Sequence, residues 1–552
     1  MKLKKDVSVS NLAEYRMKLW GLIMAPFLIF REMRTSYLPP LMVYMAAGVS
    51  GITAIVGTFY VKERLGLSAE FLSALGFWIG LPWVLKMPIG HLVDLMWRWK
   101  SAFVFLGAGL IASSLGIMVG LLGYTDAMRE VARVEAWYVI AVLLAPIGYV
   151  LQDIVADAMT VEAVPRMNLD GTAVGDADLK VMHTTMQTLG RIAIIGGGIL
   201  VSLVNIFLLT GVGDLPPAEK AATYLFVYQL ALAIPMISVL GVLLASVFRW
   251  SDVRTLVAQG KTKAEAWAFL DRACKAPAIN WVLLGGGLAF AIAAIMIGLS
   301  KIDGGQEIVF GISLLIILFL VNQLMKEISK EGRRTLIATA LLIFVYRAMP
   351  GVGPGIEWWQ IDELHFDQEF FAKLSFIGST LVLLGMLGFR RFIAERSMAY
   401  VLGFLTVAGT LLSLPTIGMY YGLHEWTAAM TGGVVDARFI AIVDTAISSP
   451  LGQVAMIPML AWIANSAPEQ LKATFFAVMA SFTNLALSAS SLGTKYLNQV
   501  FVVTREVRDE ATNAIITQAN YGELGTLLIV VTTLGFVVPM LAVWLLRKKT
   551  SY

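Results

Sequence analysis

Long apolar stretches separated by short charged connectors recur along this chain, and they fix its class. A helix needs about 20 mostly apolar residues to cross about 30 Å of hydrocarbon. Windows of that size predict spans at 39–61, 70–91, 101–123, 136–160, 183–210, 222–248, 280–300, 307–326, 334–352, 371–389, 398–420, 437–463, 472–500 and 522–546. Backbone in lipid must satisfy its polar groups internally, so segments of this length are expected to be helical. Charged residues make up only 14% of the 552 positions and hydrophobic ones 58%, whereas soluble domains carry about 25% charged residues. The chain therefore reads as an all-α polytopic membrane protein with about 14 transmembrane helices.

Charge between the spans sets orientation. With the N-terminus inside, the inner connectors hold Arg98 and Lys100, Arg166 and Lys180, the basic run from Arg249 to Lys275, Lys326 to Arg334, Arg390, Arg391 and Arg396, and Arg547 to Lys549. The outer connectors hold fewer cations and include Asp362, Glu363 and Asp367. Both termini are thus expected in the cytoplasm, in a plasma or inner membrane. Residues 1–18 are charged and the run Leu19–Phe30 is short, which fits an interfacial helix rather than a cleaved signal.

Several function classes drop out. The net charge of +4 is too small to suggest nucleic acid, and Cys274 stands as the sole cysteine, leaving no disulfide or cysteine metal cluster. The sequence lacks a Walker loop, a zinc-protease motif and a serine elbow. No enzyme activity, cofactor or metal is expected; the partners are a small solute, protons and lipid.

The spans divide unevenly. Residues 1–35 form an N-terminal segment, 36–250 a first set of six spans, 251–331 a basic loop with two extra spans joined by Asp303-Gly304-Gly305, and 332–552 a second set of six. Six plus six around a charged loop resembles the major facilitator fold, two six-helix bundles here with a two-helix insert. Gly90, Asp94 and Arg98 after the second span resemble that superfamily's G-x-x-x-D loop, with Gly388-Phe389-Arg390-Arg391 as the counterpart. The resemblance implies a gating loop between helices that rock.

Three further segments narrow the likeness. Gly80-Leu-Pro-Trp-Val-Leu-Lys-Met-Pro-Ile-Gly-His-Leu-Val-Asp94 resembles the second helix of the folate–biopterin transporter family, with Met87 inserted between Lys86 and Pro88. Gln152-Asp-Ile-Val-Ala-Asp-Ala-Met-Thr-Val-Glu162 resembles its fourth helix, and residues 467–485 its eleventh; Asp362-Glu363-Leu364-His365-Phe366 is similar to its N-E-L-G-F. The fourth-helix segment is shared with muropeptide permeases. These resemblances imply secondary, proton-coupled transport of a small organic anion such as a folate or pterin. A muropeptide or other anion permease remains open, as does a non-transporting assembly factor for pigment–protein complexes.

Charges placed inside spans are costly and tend to be functional. Asp153 and Asp157 lie four apart on one helix face. At 1.5 Å per residue, Asp153, Arg191 and Lys86 fall about 8–12 Å from the inner end of their helices. Asp153 and Asp157 are the candidate proton-coupling residues, and Arg191 and Lys86 candidate substrate contacts, with a static ion-pair brace as the alternative. In the second half Asp444, Gln453 and Asn484 are further candidate substrate contacts, around a helix bend at Pro450. Trp358, Trp359, Phe366, Phe370 and Phe371 read as a lipid-facing aromatic belt.

Overall fold

The computed structural model describes residues 33–96, 99–164, 174–271, 281–300, 302–325, 330–388, 396–451, 472–508 and 515–547. The expected interfacial helix at 19–30 lies outside them, as do Arg98, Cys274, Arg390, Arg391 and Gln453. Each predicted span overlaps helix, though the helix ends at Arg347 within the window 334–352 and starts at Leu524 within 522–546. Ten stretches are long and apolar enough to cross a membrane, with Leu284–Leu299 a shorter apolar helix. The helices running into the window 334–352 and across 472–500 are not among the ten.

The first half contains α1 (Leu38–Val49), α2 (Ala54–Arg64), α3 (Ala69–Val84), α4 (Lys86–Leu95), α5 (Lys100–Gly123), α6 (Val134–Ala163), α7 (Asp176–Leu209), α8 (Pro217–Ala231) and α9 (Ala233–Ala258). Several are halves of one span. A short 3-10 turn at Ser50–Thr53 joins α1 to α2, and α8 and α9 form one apolar stretch, Pro217–Ala258, longer than the expected 222–248.

Glycines let the first-half helices touch backbone to backbone. A Cβ on Gly148 would lie 2.6 Å from the carbonyl oxygen of Gly107, so α5 and α6 cross with no room for a side chain. A Cβ on Gly197 would meet the Gly48 backbone at 2.8 Å, which draws α7 against α1. Lys100, at the start of α5, forms an ion pair with Glu162 near the end of α6.

Two helices lie between the halves in sequence, α10 (Trp281–Leu299) and α11 (Gly305–Met325). The turn between them needs a left-handed residue, and Gly304 supplies it at φ +75°. The second half contains α12 (Lys330–Arg347), α13 (Gly355–Asp362), α14 (Gln368–Gly388), α15 (Met398–Tyr420), α16 (Ala437–Ser448), α17 (Lys472–Val500) and α18 (Leu524–Leu546). A small antiparallel ribbon pairs Val507–Arg508 with Ile515–Thr517.

The halves meet along α3 with α17 and along α7 with α14. The inserted pair straddles this seam. α10 packs on α4, where Gly287 faces Pro88, and Gly298 faces Trp78 of α3; α11 packs on α17. One buried cluster accordingly joins Phe77 and Leu81 of α3, Phe290 and Ala294 of α10, Val309 of α11 and Leu492 of α17.

The aromatic set is not a belt. Trp358 is 2% exposed and Phe366 1%, and Trp359 and Phe370 are also buried. They form a cap core with Val503, Tyr521 and Leu524, against Ala69 of α3. The expectation failed because aromatic residues beside charges mark an interface only where the chain faces lipid. Here the segment folds back over the helix ends and buries its rings in protein.

Candidate coupling and substrate site

Helix α6 carries both candidate carboxylates. Its close crossing with α5 is fixed by Gly148 and Gly107, and Gln152 donates to the Val104 carbonyl at 3.3 Å. Asp153 and Asp157 follow, one turn apart.

Lys86 reaches them from α4. Pro88 has no N–H to give the carbonyl of Val84, so the helical ladder is interrupted there. The chain bends at Leu85 (φ −80°, ψ 3°) and Lys86 becomes the first residue of a new helix. Its ammonium lies 2.5 Å from Asp153 Oδ2 and 2.7 Å from Asp157 Oδ2. One cation thus serves two carboxylates.

A fourth member of the cluster was not expected. The Tyr44 hydroxyl on α1 donates to Asp157 Oδ1 at 2.6 Å. Its ring occupies the space over Gly190, where a Cβ would come within 2.8 Å of it. Arg191 follows Gly190 on α7. It acts electrostatically on Asp153 and Tyr44, yet it makes no ion pair among the described residues and is exposed. Asp153 therefore bonds directly to Lys86 and not to Arg191. Sequence spacing could not reveal Tyr44, since nothing local links position 44 to position 157.

The other expected residues are dispersed. Asp444 on α16 has Oδ1 shielded from solvent without a hydrogen-bond partner among the described residues. The bend after it is a 3-10 turn, Ser449–Leu451, seated on α14 where a Cβ on Gly385 would lie 2.2 Å from the Pro450 oxygen. Asn484 on α17 does not join Asp444; it donates to the Trp83 carbonyl of α3 at 3.2 Å, across the seam. Gly90 and Asp94 were expected in a loop. Both lie on α4, which continues to Leu95, because the helix restarts after the Leu85 bend instead of ending with the second span. Among the described residues no group of acids, histidines or cysteines is arranged to hold a metal ion.

A model described as the BT1 family matches residues 47–551. The chain belongs to the BT1 family. The folate-biopterin transporter of Synechocystis sp. is 22% identical to this BT1 chain over 507 residues, covering 91% of it and 79% of the relative. A POT family transporter solved in complex with a thioalcohol-conjugated peptide superposes with a TM-score of 0.61 at 12% identity, covering 93% of this chain and 96% of that one. The nucleoside transporter NupG, solved as a mutant, superposes with a TM-score of 0.55 at 12% identity over 94% and 99% of the two chains. At these identities the structures establish the fold, that of major facilitator transporters. This BT1 member is a multi-pass integral membrane transporter, and its relatives are transporters, not enzymes.

Proposed function

We propose that this BT1 chain is a proton-coupled secondary transporter of a small organic anion, with folates and pterins the foremost candidates. The observation that carries the reading is the Lys86–Asp153–Asp157 cluster within apolar helices, where one lysine bridges two carboxylates beside an unpaired Arg191. Two like charges sharing one cation form a site that accepts a proton readily. The exposed guanidinium of Arg191 beside it offers a planar fork suited to a carboxylate. The name of the Synechocystis relative supplies the substrate class.

In this reading residues 36–250 and 332–552 are the two moving bundles and 251–331 the connecting unit. Both termini face the cytoplasm across the plasma or inner membrane. Asp153 carries the coupled proton and Arg191 receives the substrate. The test is uptake into proteoliposomes under an imposed inward-acid or inward-alkaline gradient. Folate should accumulate with the proton gradient, and Asp153→Asn should abolish accumulation while leaving counterflow exchange partly intact. Accumulation of muropeptide in place of folate would redirect the substrate; pH-independent uptake of either would refute coupling.

A further inference from the structure

Asp153 and Asp157 are not equivalent. Asp157 accepts from two donors, Tyr44 at Oδ1 and Lys86 at Oδ2. Asp153 accepts from Lys86 at Oδ2, and among the described residues that is its one hydrogen bond. Each hydrogen bond to an ionised acceptor favours the ionised form. Asp153 is also the less exposed, at 18% against 45% for the Asp157 side chain. The charged and titratable groups facing the pair from neighbouring helices are Lys86 from α4, Tyr44 from α1 and Arg191 from α7.

We propose that Tyr44 is a positioning residue that fixes Asp157 as the permanent counter-ion of Lys86, so that the exchangeable proton is taken by Asp153. This rests on the reading of the cluster as the proton-carrying site and assigns the roles within it. The geometry gives a consistent cycle. With both aspartates ionised, Lys86 is held between them. When a proton binds the single-bonded carboxylate of Asp153, the lysine needs only Asp157, already oriented by the Tyr44 hydroxyl. The proton leaves by the reverse step and the lysine regains both partners. Tyr44 never exchanges a proton itself; it holds one carboxylate still. Gly190 belongs to the same device, because any side chain there would push the Tyr44 ring off its seat.

Carboxyl modification with dicyclohexylcarbodiimide tests this without a known substrate. The reagent attacks protonated carboxylic acids in apolar surroundings, and tandem mass spectrometry separates adducts on residues four apart. In the native protein the adduct should form on Asp153, more at acidic pH, with Asp157 labelled about tenfold less, the preference expected from one extra hydrogen bond to a charged acceptor. Exposure alone would favour the opposite result. Tyr44→Phe keeps the ring over Gly190 and removes only the hydroxyl, so adduct should then appear on Asp157 as well. Circular dichroism and unchanged size-exclusion behaviour would show that this variant is folded. Labelling of Asp157 equal to or above that of Asp153 in the native protein, or a site distribution unaltered by Tyr44→Phe, would overturn the assignment while leaving a proton-carrying cluster intact. No adduct on either aspartate at any pH would remove the proton-carrying reading and this inference with it.

Discussion

Lys86 is the residue on which the cluster depends. Removing one partner of a buried ion pair strands the others without compensation, which costs about 3–5 kcal/mol. Lys86→Met, which keeps the length and loses the charge, should therefore lower thermal stability in detergent by an amount near the lower end of that range, because the site is partly hydrated. Lys86→Met combined with Asp153→Asn should recover part of the loss; thermal unfolding of the two variants side by side measures it. Arg191 has a different part. Its lack of an ion pair in the described structure suits a ligand contact. Arg191→Gln should weaken carboxylate-bearing ligands selectively, and Arg191→Lys should rescue poorly because an ammonium cannot reproduce the guanidinium fork. Ligand-induced thermal shifts with folate and with a neutral pterin distinguish the cases; equal loss for both would make Arg191 a brace. Most of this site could be read from the residues themselves, since a charge inside an apolar run announces its own importance. Tyr44 could not, because a tyrosine in an apolar helix is unremarked until the fold brings Asp157 to it.

Helix positions were legible because lipid imposes length and apolarity on every span, and each of the predicted windows overlaps helix. What the pattern could not supply was where a helix breaks or what packs on it. The bend at Leu85 depends on Pro88, yet the sequence looked like a span followed by a loop, so Gly90 and Asp94 were placed wrongly. Close crossings were similarly hidden, since a single glycine in a membrane helix is common and its partner is distant. Gly148→Ala tests the α5–α6 crossing: its new Cβ would press on the Gly107 carbonyl. Overpacking of this kind costs about 1–3 kcal/mol, visible as a lower unfolding temperature. The inserted pair makes an equally specific claim. Gln306 at the start of α11 donates to the Ala74 carbonyl of α3 at 2.8 Å. The neighbouring Glu307 binds Lys495 at 3.0 Å and the Tyr496 hydroxyl, both on α17. One helix turn is thereby tied to both sides of the seam. Glu307→Ala should raise hydrogen exchange in the first turns of α11 and leave the distant α5–α6 contact unchanged; equal exchange in the variant and native protein would mean that apolar packing alone holds the insert.

At the scale of the whole molecule the halves are joined by polar contacts at the end bearing Lys62. Lys62 on α2 lies 2.5 Å from Asp362 on α13. Asp362 also accepts from the Tyr521 hydroxyl, and Arg505 donates to the Lys62 carbonyl while its guanidinium lies 5.2 Å over the Trp358 ring. Beside them Thr58 of α2 donates to Glu357 of α13 at 3.4 Å. This end is shut, and the core behind the latch includes Val503, 3% exposed. Cys274 is the sole cysteine, so a Cys274→Ser background carrying Val503→Cys reports opening through labelling by an impermeant maleimide. Labelling should be slow with the latch intact and severalfold faster in Lys62→Met or Asp362→Asn, since a partly buried, hydrogen-bonded charge pair is worth more than about 1 kcal/mol. Glu357 adds a pH dependence of definite sign. Partial desolvation beside the packed helix ends pushes its carboxyl above the usual carboxylate value, although the residue still reaches solvent. The shut seam is therefore favoured while Glu357 is protonated, and that contribution fades as pH rises through the raised value, where ionisation in the seam becomes costly. Divided by the rate of a free thiol at the same pH, which removes the reagent's own dependence on thiolate, labelling at Val503→Cys should accelerate on passing from mildly acidic to neutral pH, and Glu357→Gln should flatten the profile at its slow, acidic limit. A normalised rate unaffected by Lys62→Met and by pH would show that apolar packing around Trp358, and not this network, keeps the end closed.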